Sequence, residues 1–176
     1  MNCLTYIGNC KDVINWSEVI EEIQDQEPGY IGPRQNWDDP EIKFIADIWK
    51  PAGYKPVREG GSAEWSMYFP GKNFSVKVVE EFVKFVGMKD WNSAWISKVV
   101  PGQCAPWHID LQVPNKCEPD RIHCHIDTPD PGHILIIEDQ HIFNQQQGET
   151  YRWANPRLWH AASNIGKKPH YLFNIY

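Results

Sequence analysis

Two hydrophobic periods divide this chain. In residues 12–24, "DVINWSEVIEEIQ", the apolar residues Val13, Trp16, Val19, Ile20 and Ile23 recur at helical intervals. Residues 39–50, "DPEIKFIADIWK", open on Asp39 and Pro40, an N-cap followed by the residue best tolerated at the first helical position. Residues 73–87, "NFSVKVVEEFVKFVG", have the same character and stop at Gly87, a C-cap residue. The pattern predicts three helices. Between the last two, residues 51–72 are rich in Gly and Pro, which predicts a long loop or a pair of irregular strands. Loops of that length inside a domain are often functional.

From residue 93 the period shortens. "SAWISKVV", "RIHCHI", "GHILIIED", "HIFNQ", "ETYRW", "RLWHAAS" and "HYLFNIY" are short runs of β-branched and aromatic residues, separated by Pro, Gly and Asn clusters. Runs at this spacing predict a sandwich, jelly roll or barrel. Helices followed by strands give an α+β chain, mainly β, with the helices packed on one sheet face. One domain over 1–176 is expected. Residues 1–92 would supply helical support and substrate-facing loops, and 93–176 the β core.

Composition narrows the setting. With 23% charged and 41% hydrophobic residues the chain is in the range of soluble globular proteins. Nine Trp and fourteen Pro point away from a helical bundle. A net charge of −6 argues against general nucleic-acid binding, which prefers a basic face. No apolar run reaches membrane-spanning length, and the N-terminus lacks the blocks of a secretory signal. The five cysteines, at 3, 10, 104, 117 and 124, include no C-x-x-C pair and read as reduced thiols of a cytoplasmic protein.

The candidate chemistry lies in three segments. In "PGQCAPWHID", residues 101–110, His108 and Asp110 would share a face of an extended segment, because a strand alternates sides. His160, in "NPRLWHAASN", follows 52 residues later in another strand. Two imidazoles and a carboxylate can bind one face of an octahedral Fe(II), leaving positions for a bidentate co-substrate and dioxygen. The same set also suits tetrahedral zinc. In "RIHCHI", 121–126, Arg121, His123 and His125 alternate with Ile122, Cys124 and Ile126. If the apolar face packs on the helices, the basic face lines the space between the sheets. A buried guanidinium there needs a counter-charge, and a dicarboxylate ligand would serve; alternatively this face lies in solvent, with Arg121 paired to a nearby acid such as Glu118 or Asp120. His133 and His141 read as strand-end or surface residues. Ser97 reads as a structural hydroxyl, and Trp107, Trp153 and Trp159 as core or pocket walls, Trp107 bordering the metal.

Taken together, "WISKVVPGQCAPWHID", "RIHCHI" and "GETYRWANPRLWHAASNIGKKPHYLFNIY" resemble the 2-oxoglutarate- and Fe(II)-dependent oxygenases, most of all the aspartyl/asparaginyl β-hydroxylase-like branch. The resemblance covers residues 93–176. It implies a double-stranded β-helix of jelly-roll or cupin-like form, with His108, Asp110 and His160 as catalytic iron ligands and Arg121 and His123 at the 2-oxoglutarate. Such enzymes place an Arg or Lys about ten residues beyond the distal His to hold the far carboxylate. Here that position is His170, with Lys168 two residues before it, so Lys168, His170 or Arg121 would take that part. The implied activity is hydroxylation of a protein or peptide side chain, or of an amino-acid-like small molecule, with O2 consumed and succinate and CO2 released. Two other classes fit the residues less fully. They are a non-catalytic cupin-like binding module and a zinc-dependent hydrolase or isomerase on a β-barrel.

Overall fold

A computed structural model of the chain describes residues 3–32, 37, 40, 43–110, 121–128, 130–155 and 157–176. Its first half runs β1 (Leu4–Asn9), α1 (Trp16–Ile23), β2 (Tyr30–Gly32), α2 (Lys43–Trp49), a 3-10 turn at Val57–Glu59, β3 (Trp65–Tyr68) and α3 (Val76–Val86). The second half is β4 (Ala94–Val99), β5 (Cys104–His108), β6 (Ile122–His125), β7 (His133–Ile137), β8 (Gln140–Ile142), β9 (Glu149–Trp153), β10 (His160–Asn164) and β11 (His170–Ile175). These strands form two antiparallel sheets. One has the order β1-β9-β6-β11-β4-β3-β2 and the other β5-β10-β7-β8. From β4 to β11 the chain passes back and forth between them, which makes the architecture a jelly roll, the double-stranded β-helix.

The alternation of strand side chains builds this sandwich. Ile122 and Cys124 of β6, Phe173 and Ile175 of β11, and Ala94 and Ile96 of β4 point to one side of the larger sheet. There they meet Trp16, Val19 and Ile23 of α1 and Val79 and Phe82 of α3 in one buried cluster. The intervening residues face the second sheet, where Val99, Leu172 and Trp153 pack with Ala105, Leu135, Ile137 and Ala162. Helices α1 and α3 thus lie on one sheet face and the basic side of β6 lies inside, whereas α2 packs beside β5, its Trp49 Nε1 donating to the Trp107 carbonyl.

The helix signals are met with small changes. The Ser75 hydroxyl caps α3 by accepting from the Lys77 amide at 3.3 Å, and Gly87 closes it at φ 70°. Asp39 lies outside the described residues, and α2 is described from Lys43. The strands of the first half are the main departure from expectation. β1 pairs with β9, while β3 and β2 extend the sheet beyond β4, so residues 1–92 contribute sheet as well as helix. In β1, Leu4 is buried while Thr5 and Tyr6 are exposed, a pattern with no legible period. Among the described residues no helix is long and apolar enough to cross a membrane.

Phe173 is fully buried, with ring centroids 4.7 Å from Phe82 and 5.4 Å from Trp16. Truncation to Ala leaves a cavity where sheet and helices meet. F173A is expected to lose about 3–5 kcal/mol of unfolding free energy in urea titrations and F173L less, the residual cavity setting the cost. A loss under about 1 kcal/mol for F173A would contradict this packing account.

Candidate metal centre

Strand register brings the two candidate histidines together. β5 and β10 are antiparallel neighbours, and His160 stands opposite His108. Their ring centroids are 4.2 Å apart. Asp110 lies two residues beyond the end of β5, and its Oδ1 comes within 3.6 Å of His108 Nε2 while its Oδ2 is 3.9 Å from His160 Nε2. One donor atom from each of the three residues falls within 4.8 Å of the others.

Local hydrogen bonds decide which ring nitrogens face inward. His108 Nδ1 contacts the Pro106 carbonyl, and His160 Nδ1 contacts the Leu158 carbonyl at 3.0 Å. A carbonyl only accepts, so both Nδ1 atoms carry a proton, which leaves Nε2 of each ring as the nitrogen able to ligate. A ligating imidazole is commonly oriented in this way by a backbone carbonyl on its other nitrogen. Trp65 stacks on His108 at 5.5 Å, and Trp153 meets His160 edge-on at 5.0 Å, fixing both rings.

Arg121 supplies the counter-charge. Its Nη1 lies 2.6 Å from Asp110 Oδ2, its Nη2 is 3.4 Å from His160 Nε2, and its guanidinium sits 3.8 Å above the Trp153 ring. The anion that a buried Arg121 requires is therefore a carboxylate of the chain itself. Burial is the largest single influence and would raise the Asp110 carboxyl, but Arg121, His160 and His108 together outweigh it and hold the group far below the usual carboxylate range. Burial, then the neighbouring His108 and Arg121, push His160 well below its ordinary value. The three candidate ligands are thus held as one carboxylate and, by tautomer, two inward lone pairs.

A cavity of about 60 Å³ opens on this cluster. Its walls include Trp65, Trp95, Leu135 and Trp153, and it extends to His170 and Asn174 on β11. Ser97 also lines it, where its hydroxyl accepts from Trp95 Nε1 at 3.0 Å and from Asn174 Nδ2 at 3.3 Å.

The remaining candidates divide. His123 is buried, accepts from Trp153 Nε1 at 2.7 Å and stacks on Tyr151, so it braces a wall of the cavity. Lys168 is exposed in the turn before β11, whereas His170 is buried at the start of that strand. Their expected shared face does not form, because the strand begins only at His170. Trp107 and Trp159 stack on each other at 6.2 Å, away from the cavity-lining set, so Trp107 does not border the cluster as expected. Cys117, Glu118 and Asp120 lie outside the described residues. Sequence reasoning missed Asp127 and the burial of His133. His133 Nδ1 is 2.8 Å from Asp127 Oδ2, and His170 Nδ1 is 3.3 Å from the same oxygen. The only linear hint is the Asp/Pro/Gly-rich "DTPDPGH" leading into His133.

No protein-family model matches the sequence, and no curated protein matches it. Solved structures with a similar course of chain include an oxidoreductase of the 2OG-Fe(II) oxygenase family from Burkholderia pseudomallei. It is 11% identical, with 91% of this chain and 89% of that one covered, at a TM-score of 0.45. A viral collagen prolyl hydroxylase from Paramecium bursaria Chlorella virus-1 is 13% identical over 78% of this chain and 83% of its own, at 0.40. A predicted oxalate decarboxylase from Thermotoga maritima is 12% identical over 64% and 78%, also at 0.40. With TM-scores below 0.5, the chemistry of the site rests on the chain's own geometry.

The buried imidazoles make stability depend on pH. Burial, with Arg121 and His170 adding, lowers the His123 pKa to about 3 from an ordinary 6.5. Between these values the unfolded chain binds a proton that the folded chain does not, so stability is complete above pH 6.5 and falls as pH drops toward 3. The expected slope from His123 is about 1.4 kcal/mol per pH unit. Urea titrations at pH 7, 6 and 5 check it: H123F is predicted to flatten the acid limb, and an unchanged limb would count against the assignment.

Proposed function

We propose that the protein is an Fe(II)-dependent oxygenase that takes 2-oxoglutarate and O2 as co-substrates. His108, Asp110 and His160 are its iron ligands, and its substrate is a peptide side chain or an amino-acid-like small molecule. One observation carries the reading. Two imidazoles, each pinned through Nδ1 on the carbonyl two residues before it, turn Nε2 toward one carboxylate at the edge of a largely apolar cavity. Two nitrogens and one oxygen on one side leave further coordination positions open.

The donor set fits Fe(II), and bound iron supplies the open positions at which a keto acid and O2 react. The chain's own residues do the rest. Arg121 keeps Asp110 ionised and holds its Oδ2, leaving Oδ1 on the His108 side. Trp65, Trp95 and Trp153 exclude water from the cavity, with Leu135 and Leu172 completing the apolar wall. His170 and Asn174 place polar groups along the same cavity, and because the Asn174 amide already donates to Ser97 and to the Leu172 carbonyl, the His170 ring is the donor for a co-substrate carboxylate. His123 holds Trp153 in place through the indole N–H.

A second reading is favoured by one specific observation. Arg121 and His170, the basic groups inside the sandwich, both face carboxylates of the chain, Asp110 and Asp127. A zinc-dependent hydrolase or isomerase needs no bound dicarboxylate and would use the same triad.

Anaerobic titration of metal-free protein with Fe(II) and 2-oxoglutarate separates the two. The oxygenase reading predicts a weak visible charge-transfer band that appears with both components and with neither alone, and that D110A abolishes. Zinc binding without any such band supports the hydrolase. A band of unchanged strength in D110A would sink the triad assignment.

A further inference from the structure

The same sandwich holds a second cluster of ligating side chains. Asp127, His133 and His170 are each at least nine-tenths buried. His133 Nε2 faces the Lys168 carbonyl at 2.9 Å, so that nitrogen carries the proton and Nδ1 of the neutral ring carries a lone pair. That lone pair lies 2.8 Å from Asp127 Oδ2, which is also an acceptor. Two acceptors in contact require a cation between them, a second proton or a metal ion. His170 Nδ1 stands 3.3 Å from the same oxygen, and the three donor atoms all lie within 4.8 Å of one another. Bonds of 2.0–2.2 Å to a tetrahedral zinc place neighbouring ligand atoms about 3.3 Å apart, close to these separations.

Three further atoms are short of partners. Asp127 Oδ1, His125 Nε2 and His170 Nε2 are buried with no hydrogen-bond partner among the described residues. All belong to residues lining a cavity of about 10 Å³, room for one ion or one water. A satisfied core cluster would not leave a carboxylate oxygen and two imidazole nitrogens idle in one place.

We propose that Asp127, His133 and His170 bind a divalent cation of the zinc class, at a second site separate from His108, Asp110 and His160. Two imidazole nitrogens and a carboxylate oxygen are a zinc donor set, with His125 or a water available for a fourth position. The ion joins β7 of the smaller sheet to β11 of the larger one. It also fixes His170: with Nδ1 on the metal, the proton must reside on Nε2. His170 lines the main cavity as well, so an N–H donor backed by a cation borders the space assigned to the co-substrate. That consequence rests on the oxygenase reading; the metal site itself does not.

The test is metal stoichiometry on chelator-treated full-length protein. Zn2+ is titrated against a chromophoric chelator and Co2+ is followed by its visible absorption. The wild type is expected to bind two equivalents. H160A is expected to keep one, with the intense absorption of tetrahedral Co2+. D127N, which preserves shape, and H133F are each expected to lose that equivalent and keep the triad's, with circular dichroism confirming the fold. The proposal is overturned if H160A binds no metal, or if D127N and H133F both retain two equivalents. Should the Fe(II) and 2-oxoglutarate band fail while the D127N-sensitive equivalent remains, the oxygenase reading falls and the second site stands.

Discussion

The ion pair between Arg121 and Asp110 is the constraint around which the interior of the sandwich is organised. The guanidinium is 2% exposed and lies 2.6 Å from the carboxylate, against the face of Trp153. Taking an isolated charge so far from water costs several kcal/mol, and the cost is offset only when the partner is held in place. The pair does that across the two sheets, since Arg121 enters β6 of the larger sheet and Asp110 leaves β5 of the smaller one. Asp110 lies beyond the end of β5, and Arg121 is the group that holds its carboxylate toward His108 and His160. A structural requirement, neutralising one buried cation, also fixes the third member of a metal-binding set.

The strands divide the remaining work by their two faces. Outward positions of β4, β6 and β11 pack under α1 and α3 as plain apolar core. Inward positions carry His123, His125, His170, Asn174 and Ser97, and each of these polar groups needs a partner or a ligand. Some find one in the fold, as His123 does in Trp153. Others do not: Asp127 Oδ1, His125 Nε2 and His170 Nε2 belong to residues lining one small cavity, while His123 Nε2 is also without a hydrogen-bond partner among the described residues.

Much of this was legible in the sequence because it depends on short-range periodicity. The period-two alternation of "RIHCHI" separates an apolar side from a basic one, and the structure decides between interior and solvent: the apolar side packs under the helices and the basic side is buried inside. His108 and Asp110 were visible as a pair two residues apart. His160 was visible as an isolated histidine in a strand, and the antiparallel register of β5 and β10 brings it opposite His108. What escaped depends on long-range pairing. β1 is an edge strand with no alternation of its own, and only its partner β9 makes it a strand. Asp127 and His133 are six residues apart with no helical or strand spacing between them. Their meeting with His170 follows from how the ends of β7 and β11 are stacked across the sandwich. Residues 51–72 read as a long loop or a pair of irregular strands, and the strand within them, β3, is defined by its pairing with β4 and β2.

The central claim is that the interior of this jelly roll holds a metal ion on His108, Asp110 and His160. Anomalous diffraction at the iron edge, from crystals grown anaerobically with Fe(II), tests it without reference to turnover. A strong iron peak is expected within about 2.2 Å of His108 Nε2, His160 Nε2 and an Asp110 carboxylate oxygen, whether or not the Asp127 site also takes up metal. Crystals of metal-loaded protein in which those three residues surround only water, with Arg121 still holding Asp110, would contradict it.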